Sequence, residues 1–220
     1  MSDATTSATT IAVYTLAIQR ALEANGYEAA DVFRAAGLDH TPGQDPMERL
    51  STAEVVALFR ESVKRSGNPA FGLTVARVMH PSNIHALGYA LLASATLRDA
   101  CERLVHYFRI ASDQGVYRIE ESDEKFSLIL EVKAEGVAYE TIDCWNAFLV
   151  HLFRMIYQPD FTPQSVTLAR PCPEGCEALY RKSFHVPVTF DASYCEICLD
   201  SAVVDRPLMG GNREIAGEHD

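Results

Sequence analysis

The apolar residues of this chain change period near residue 115, and no other feature narrows the fold as much. Up to that point they recur every three or four positions, the spacing of a helix face; in the stretch that follows they alternate, the spacing of a strand. On the helical side, Ile11, Tyr14, Ile18 and Leu22 line a segment that stops at Asn25 and Gly26, a C-cap pair, and "AADVFRAAG" ends the same way at Gly37. "DHTPGQDP" connects to a third helix carrying Val55, Leu58, Phe59 and Val63, where Ser51 or Thr52 can cap the first turn and Glu54 can support it. A fourth, "AFGLTVARVM", is terminated by His80 and Pro81. Residues 83–110 hold two more, the second starting after Ser94 or Thr96 with Leu97, Cys101, Leu104 and Phe108 in a seam.

On the strand side, "GVYRIEESDEKFSLILEVKAEG" reads as a hairpin around an acidic turn. Phe126, Leu128, Leu130 and Val132 alternate with Ser127, Ile129, Glu131 and Lys133, so its second strand is expected to place one face on the core. A long helix follows from about Tyr139 to Tyr157, with Ile142, Trp145, Leu149, Leu152 and Ile156 on one stripe and Phe148 and Phe153 widening it. Apolar nearly all round, it is expected to be buried on more than one side. "SVTLAR", "VTFD" and "YCEICLD" read as short strands and "GCEALYRKSFH" as a helix between them. The expected fold is α+β, a helical N-terminal half packed with an antiparallel sheet of about five strands.

With 48% hydrophobic residues, the chain can bury a core as one domain, or as one domain with a helical appendage, without staples. "MSDATTSATT" lacks a basic start, and "CWNAFLVHLFRMIY" is broken by Asn146, His151 and Arg154, so the protein reads as cytoplasmic, with neither signal peptide nor membrane span. Nineteen basic against thirty acidic residues give a formal charge of −11, which a nucleic-acid duplex would repel.

Cys172, Cys176, Cys195 and Cys198 form C-x3-C and C-x2-C pairs near the ligand spacing of a tetrahedral zinc site. Against zinc, Cys195 and Cys198 sit in a strand-like run with no glycine to turn them together; reduced thiols are the other reading, and no metal or other cofactor is expected. Cys101 and Cys144 fall among apolar helical positions. No H-E-x-x-H, G-x-S-x-G, P-loop or G-x-G-x-x-G occurs, and the carboxylates cluster in turns and solvated faces, so no enzyme is expected. The long helix is more informative, because His151 and Arg154 are three apart and hence neighbours on one face of it. Polar side chains there need a partner or a cavity: Arg154 either pairs with a nearby carboxylate or meets a ligand. A guanidinium suits bidentate capture of a carboxylate, with Trp145 and Phe148 as apolar wall and Tyr89, His106 and Tyr107 as further pocket candidates.

The order and spacing of several pieces carry a resemblance. "PAFGLTVAR", "HALGYALLASATLRDACERLVHYFRIASD" and "SFHVPVTFDASYCEICLDSAVVDRPL" follow one another, with Gly72 before Leu73, the run Leu87, Gly88, Tyr89, Phe184 ahead of Pro187 and Val188, and Asp205 to Leu208 at the end. This arrangement resembles the N-terminal effector-sensing, arabinose-binding-like domain of AraC-type transcriptional regulators, as found in ornithine-utilisation regulators. The resemblance implies a sensing domain over residues 11–212, flanked by a disordered tail at 1–10 and a tail or truncated linker at 213–220. It further implies a small-molecule effector, a homodimer, and DNA contact only through a C-terminal helix-turn-helix domain that this sequence lacks. A cysteine-based metal or redox sensor is the alternative. Gly88 is expected to let helices approach closely.

Overall fold

The computed structural model describes residues 8–38, 45 and 48–208. The "DHTPGQDP" connection, apart from Asp45, and residues 213–220 lie outside the described residues. Six α-helices lie in the N-terminal half: α1 (Thr15–Ala24), α2 (Ala29–Ala35), α3 (Thr52–Ser66), α4 (Phe71–Val78), α5 (His85–Leu92) and α6 (Leu97–Ala111). Their ends follow local chemistry. The Ser51 hydroxyl accepts from the Glu54 backbone N–H while the Glu54 carboxylate accepts from the Ser51 N–H, closing a capping box on α3, and α3 stops at Gly67 in the left-handed region (φ 64°). Thr96 caps α6 by accepting from the Asp99 N–H at 3.0 Å.

Thr9 and Thr10, expected in a disordered tail, belong to a strand: β1 (Thr9–Ile11) pairs antiparallel with β2 (Arg49–Ser51), a two-stranded sheet that three-residue runs do not announce in sequence. The main sheet contains β3 (Gly115–Glu121), β4 (Lys125–Val132), β5 (Ser165–Thr167), β6 (Val188–Thr189) and β7 (Cys195–Asp200), in the order β3-β4-β7-β5-β6. It is mixed and not purely antiparallel, because β5 and β6 run parallel. The reason lies in their connection: α8 (Glu177–Phe184) crosses between them, and a helical crossover returns the chain in the same direction. A short α9 (Ser201–Val204) closes the described chain. The second hairpin strand is also more buried than alternation implies, since Ser127 and Ile129 are buried along with Phe126 and Leu128.

α7 (Tyr139–Ile156) runs through the centre. Every residue from Thr141 to Val150 is buried, including the polar Asp143 and Asn146. Backbone-to-backbone approach at two glycines sets the helix layer. A Cβ on Gly72 would lie 2.2 Å from the Glu140 carbonyl oxygen of α7. One on Gly88 would lie 1.8 Å from the Pro81 carbonyl oxygen, so the close neighbour of Gly88 is the 3-10 turn Pro81–Ile84 and not a second helix. Among the described residues, no helix is long and apolar enough to cross a membrane.

Candidate functional site

Where α4, α7 and α8 meet, they leave a groove of about 180 Å³. Leu73, Thr74 and Arg77 come from α4, His151 from α7, and Leu179, Lys182 and Ser183 from α8; Asn68 and Ala70 close one end. The wall holds three basic side chains and no carboxylate, although the chain has thirty acidic residues against nineteen Lys and Arg. Among the described residues Arg77 and Lys182 have neither an ion pair nor a hydrogen bond, and both are exposed. His151 is half-buried, with Nδ1 3.3 Å from the Ala76 carbonyl oxygen; that acceptor keeps the proton on Nδ1 and leaves Nε2 without a protein partner. Burial pushes the His151 pKa below 6.5, the cations Arg154, His185 and Arg77 push the same way, and the Ala76 carbonyl opposes them. The Ser183 hydroxyl is buried in this wall with no partner.

Arg154 stands behind the groove. Its Nε donates to the Phe161 carbonyl at 3.0 Å, Nη1 to Ser183 at 2.8 Å and Nη2 to Phe184 at 3.1 Å. The last two carbonyls are the open C-terminal acceptors of α8, so the guanidinium caps that helix and fastens it to α7. Its partners are carbonyl oxygens and not a carboxylate, which is one of the two readings that the sequence leaves open.

The six candidates from sequence do not converge on one pocket. Trp145 and Phe148 are buried in an aromatic cluster in which Trp145 meets Phe108 edge-on at 5.1 Å and Tyr14 at 6.3 Å. The cavity beside Trp145 measures about 20 Å³, room for a single water and too small for a metabolite. Tyr89 is 61% exposed on α5, and His106 is exposed on α6 against Tyr107. Only His151 lines the groove, with Arg154 bonded to its wall. Arg77 and Lys182 escaped the sequence reading because they look like solvated helix charges until α4 and α8 are folded onto α7.

Asp143 also escaped notice. Fully buried, it accepts from Arg170 Nη1 at 2.5 Å and from the Tyr180 hydroxyl at 2.7 Å through Oδ2, while Oδ1 has no partner. Burial raises its pKa to about 7 against the lowering pull of Arg170 and Tyr180. Tyr180 lies on α8, so this cluster and Arg154 tie the same helix to α7 from two sides.

Cys195 and Cys198 are three apart on β7 and so point to opposite faces of the sheet: the Cys195 sulfur accepts from the Ala169 N–H, and Cys198 contacts Gln164. Among the described residues, no three His, Cys, Asp or Glu side chains are grouped as metal ligands.

Helices layered over a five-stranded sheet, with a groove of about 180 Å³ beside the central helix, place the domain in the α+β class. The family described as the arabinose-binding domain of AraC transcription regulators, N-terminal, matches residues 26–208, and the chain belongs to that family. By its description, that family is a domain of transcription regulators. Among solved structures, the transcriptional regulator CdpR from Pseudomonas aeruginosa shares the fold with a TM-score of 0.62 at 17% identity, over 89% of this chain. The match spans 58% of that regulator's length. No curated protein matches the sequence.

Proposed function

We propose that this domain senses a small metabolite at the α4–α7–α8 groove, with His151 as the contact on α7 and Arg154 as the support of the groove wall. The observation that carries this reading is the groove itself, an opening of about 180 Å³ on a helix otherwise buried along most of its length. It is smaller than the roughly 300–1,000 Å³ clefts of drug-sized ligands, which suits a compact effector. The domain performs no chemistry on that effector. It self-associates as a homodimer in the cytoplasm, and effector binding changes how a separate C-terminal domain of the intact regulator meets DNA.

A thermal-shift screen against amino acids, short carboxylic acids, amines and fatty acids tests the sensing role. A compound that binds only the folded state adds about 2.7 kcal/mol when present at a hundred times its Kd, and the melting temperature rises accordingly. Silence across all four classes would remove the proposal. Sedimentation is expected to give a dimer, and a strict monomer would reject that part. With a formal charge of −11 the domain alone is expected not to hold duplex DNA at moderate salt.

A further inference from the structure

We propose that the groove is an anion site, and that the effector carries a carboxylate or phosphate group held jointly by Arg77, Lys182 and His151. This rests on the reading of the groove as the effector site and adds the chemical class of the ligand.

Unpaired Lys and Arg are ordinary on a protein surface, so each alone means little. Here they converge, from two different helices, on one cavity of about 180 Å³ that also contains a half-buried histidine with a free Nε2. The Ser183 hydroxyl is a second, independent sign. It is buried just behind the groove surface with no partner, a state that costs free energy, and a turn about its Cα–Cβ bond would bring it to an acceptor in the groove. An anion supplies what Arg77, Lys182 and Ser183 lack, because its oxygens accept from guanidinium, ammonium and hydroxyl alike, and by favouring a second proton on His151 it turns Nε2 from an acceptor into a donor as it binds. The charge pattern agrees: a wall with three basic groups and no acid, in a chain of net charge −11, concentrates small anions locally while the rest of the surface repels polyanions. Leu73 and Leu179 line the same groove and offer contact to a short apolar body. Arg154 takes no direct part; by holding the Ser183 and Phe184 carbonyls it fixes the turn of α8 that presents Lys182 and Ser183.

Calorimetric titration of the whole domain at low ionic strength, with succinate, inorganic phosphate and butylamine as probes, tests the assignment. At least one anion is expected to bind saturably and butylamine not at all; succinate alone identifies a carboxylate effector, phosphate alone a phosphate ester. Arg77→Ala and Lys182→Ala, both at exposed positions, are each expected to weaken that binding roughly tenfold, the scale of one charge-assisted hydrogen bond. Arg181→Ala removes the same charge from α8 outside the groove and is expected to change affinity less than about twofold. Ser183→Ala is expected to weaken anion binding without lowering the stability of the free domain, since it deletes an unpaired hydroxyl. Absence of saturable anion binding, or equal losses in Arg181→Ala and Lys182→Ala, overturns the anion site. An effector from the thermal screen that is neutral or cationic would overturn it too while leaving the sensing role intact.

Discussion

Arg170→Ala is expected to cost about 3–5 kcal/mol of folding stability at pH 8, the range observed when one partner of a buried ion pair is removed. The geometry explains why the full range applies. Asp143 is completely buried and Arg170 is 5% exposed, so no water replaces the lost donor. The guanidinium also lies 4.9 Å from the centre of the Tyr139 ring and 6.0 Å from that of Tyr180, and its Nε donates to the Pro171 carbonyl. Truncation therefore removes a packed planar group along with a charge. Tyr180 keeps its bond to Asp143, but a single hydroxyl cannot balance a carboxylate whose other oxygen has no partner.

The cost depends on pH, with a definite sign. The folded-state pKa of Asp143, about 7, lies above its ordinary value of 3.8. A raised carboxyl contributes stability that is fully present below pH 3.8 and is lost as pH rises through about 7. Without Arg170 the lowering pull disappears and the folded-state pKa rises further, so the variant loses additional stability above pH 7. Urea midpoints at pH 5 and pH 8 check this: the gap between wild type and variant is expected to be smaller at pH 5, where Asp143 is protonated in the folded state. A pH-independent cost, or one below about 1 kcal/mol at pH 8, would mean that the carboxyl is not the group left uncompensated.

What sequence reasoning can see is governed by the range of each interaction. The capping box of α3 spans four residues, the Thr96 cap of α6 the same, and both were legible because donor and acceptor lie within one turn. The long apolar helix and the hairpin were legible through their periods, which report burial in each element separately. Three features depended on which element arrives alongside. β1 is a strand only because Arg49–Ser51 returns next to it. The parallel pairing of β5 with β6 follows from the path of α8. Ile129 is hidden although its alternation with Leu128 and Leu130 predicts an exposed face. The candidate site shows the same division: His151 stood out as a polar interruption of an apolar helix, whereas Arg77 and Lys182 acquire meaning only through the packing of α4 and α8 on α7. Asp143 looked like one more carboxylate among thirty until Arg170 and Tyr180 enclosed it.

Gly72→Ala should wedge apart α4 and α7, two of the three helices that meet at that groove. The new Cβ would lie 2.2 Å from the Glu140 carbonyl oxygen and 2.9 Å from Asp143 Cβ, and neither can move without moving α7. Relief requires the α4 and α7 axes to separate, an overpacking strain that costs about 1–3 kcal/mol in a close-packed core and occasionally more. For a domain of this size that corresponds to a fall in melting temperature of roughly 2–4 °C per kcal/mol. Gly67→Ala provides the contrast. Nothing lies within 4 Å of a Cβ there, so its cost of about 1–2 kcal/mol comes from the left-handed backbone alone and leaves the groove as it was. The two substitutions therefore differ in function even where they match in stability. Separating α4 from α7 lengthens the 3.3 Å contact between His151 Nδ1 and the Ala76 carbonyl and carries Arg77 away from His151, so Gly72→Ala is expected to weaken anion binding while Gly67→Ala preserves it. Calorimetric affinities measured on both variants well below their melting temperatures check this, and unchanged binding in a destabilised Gly72→Ala protein would show that the groove does not depend on the approach of these helices.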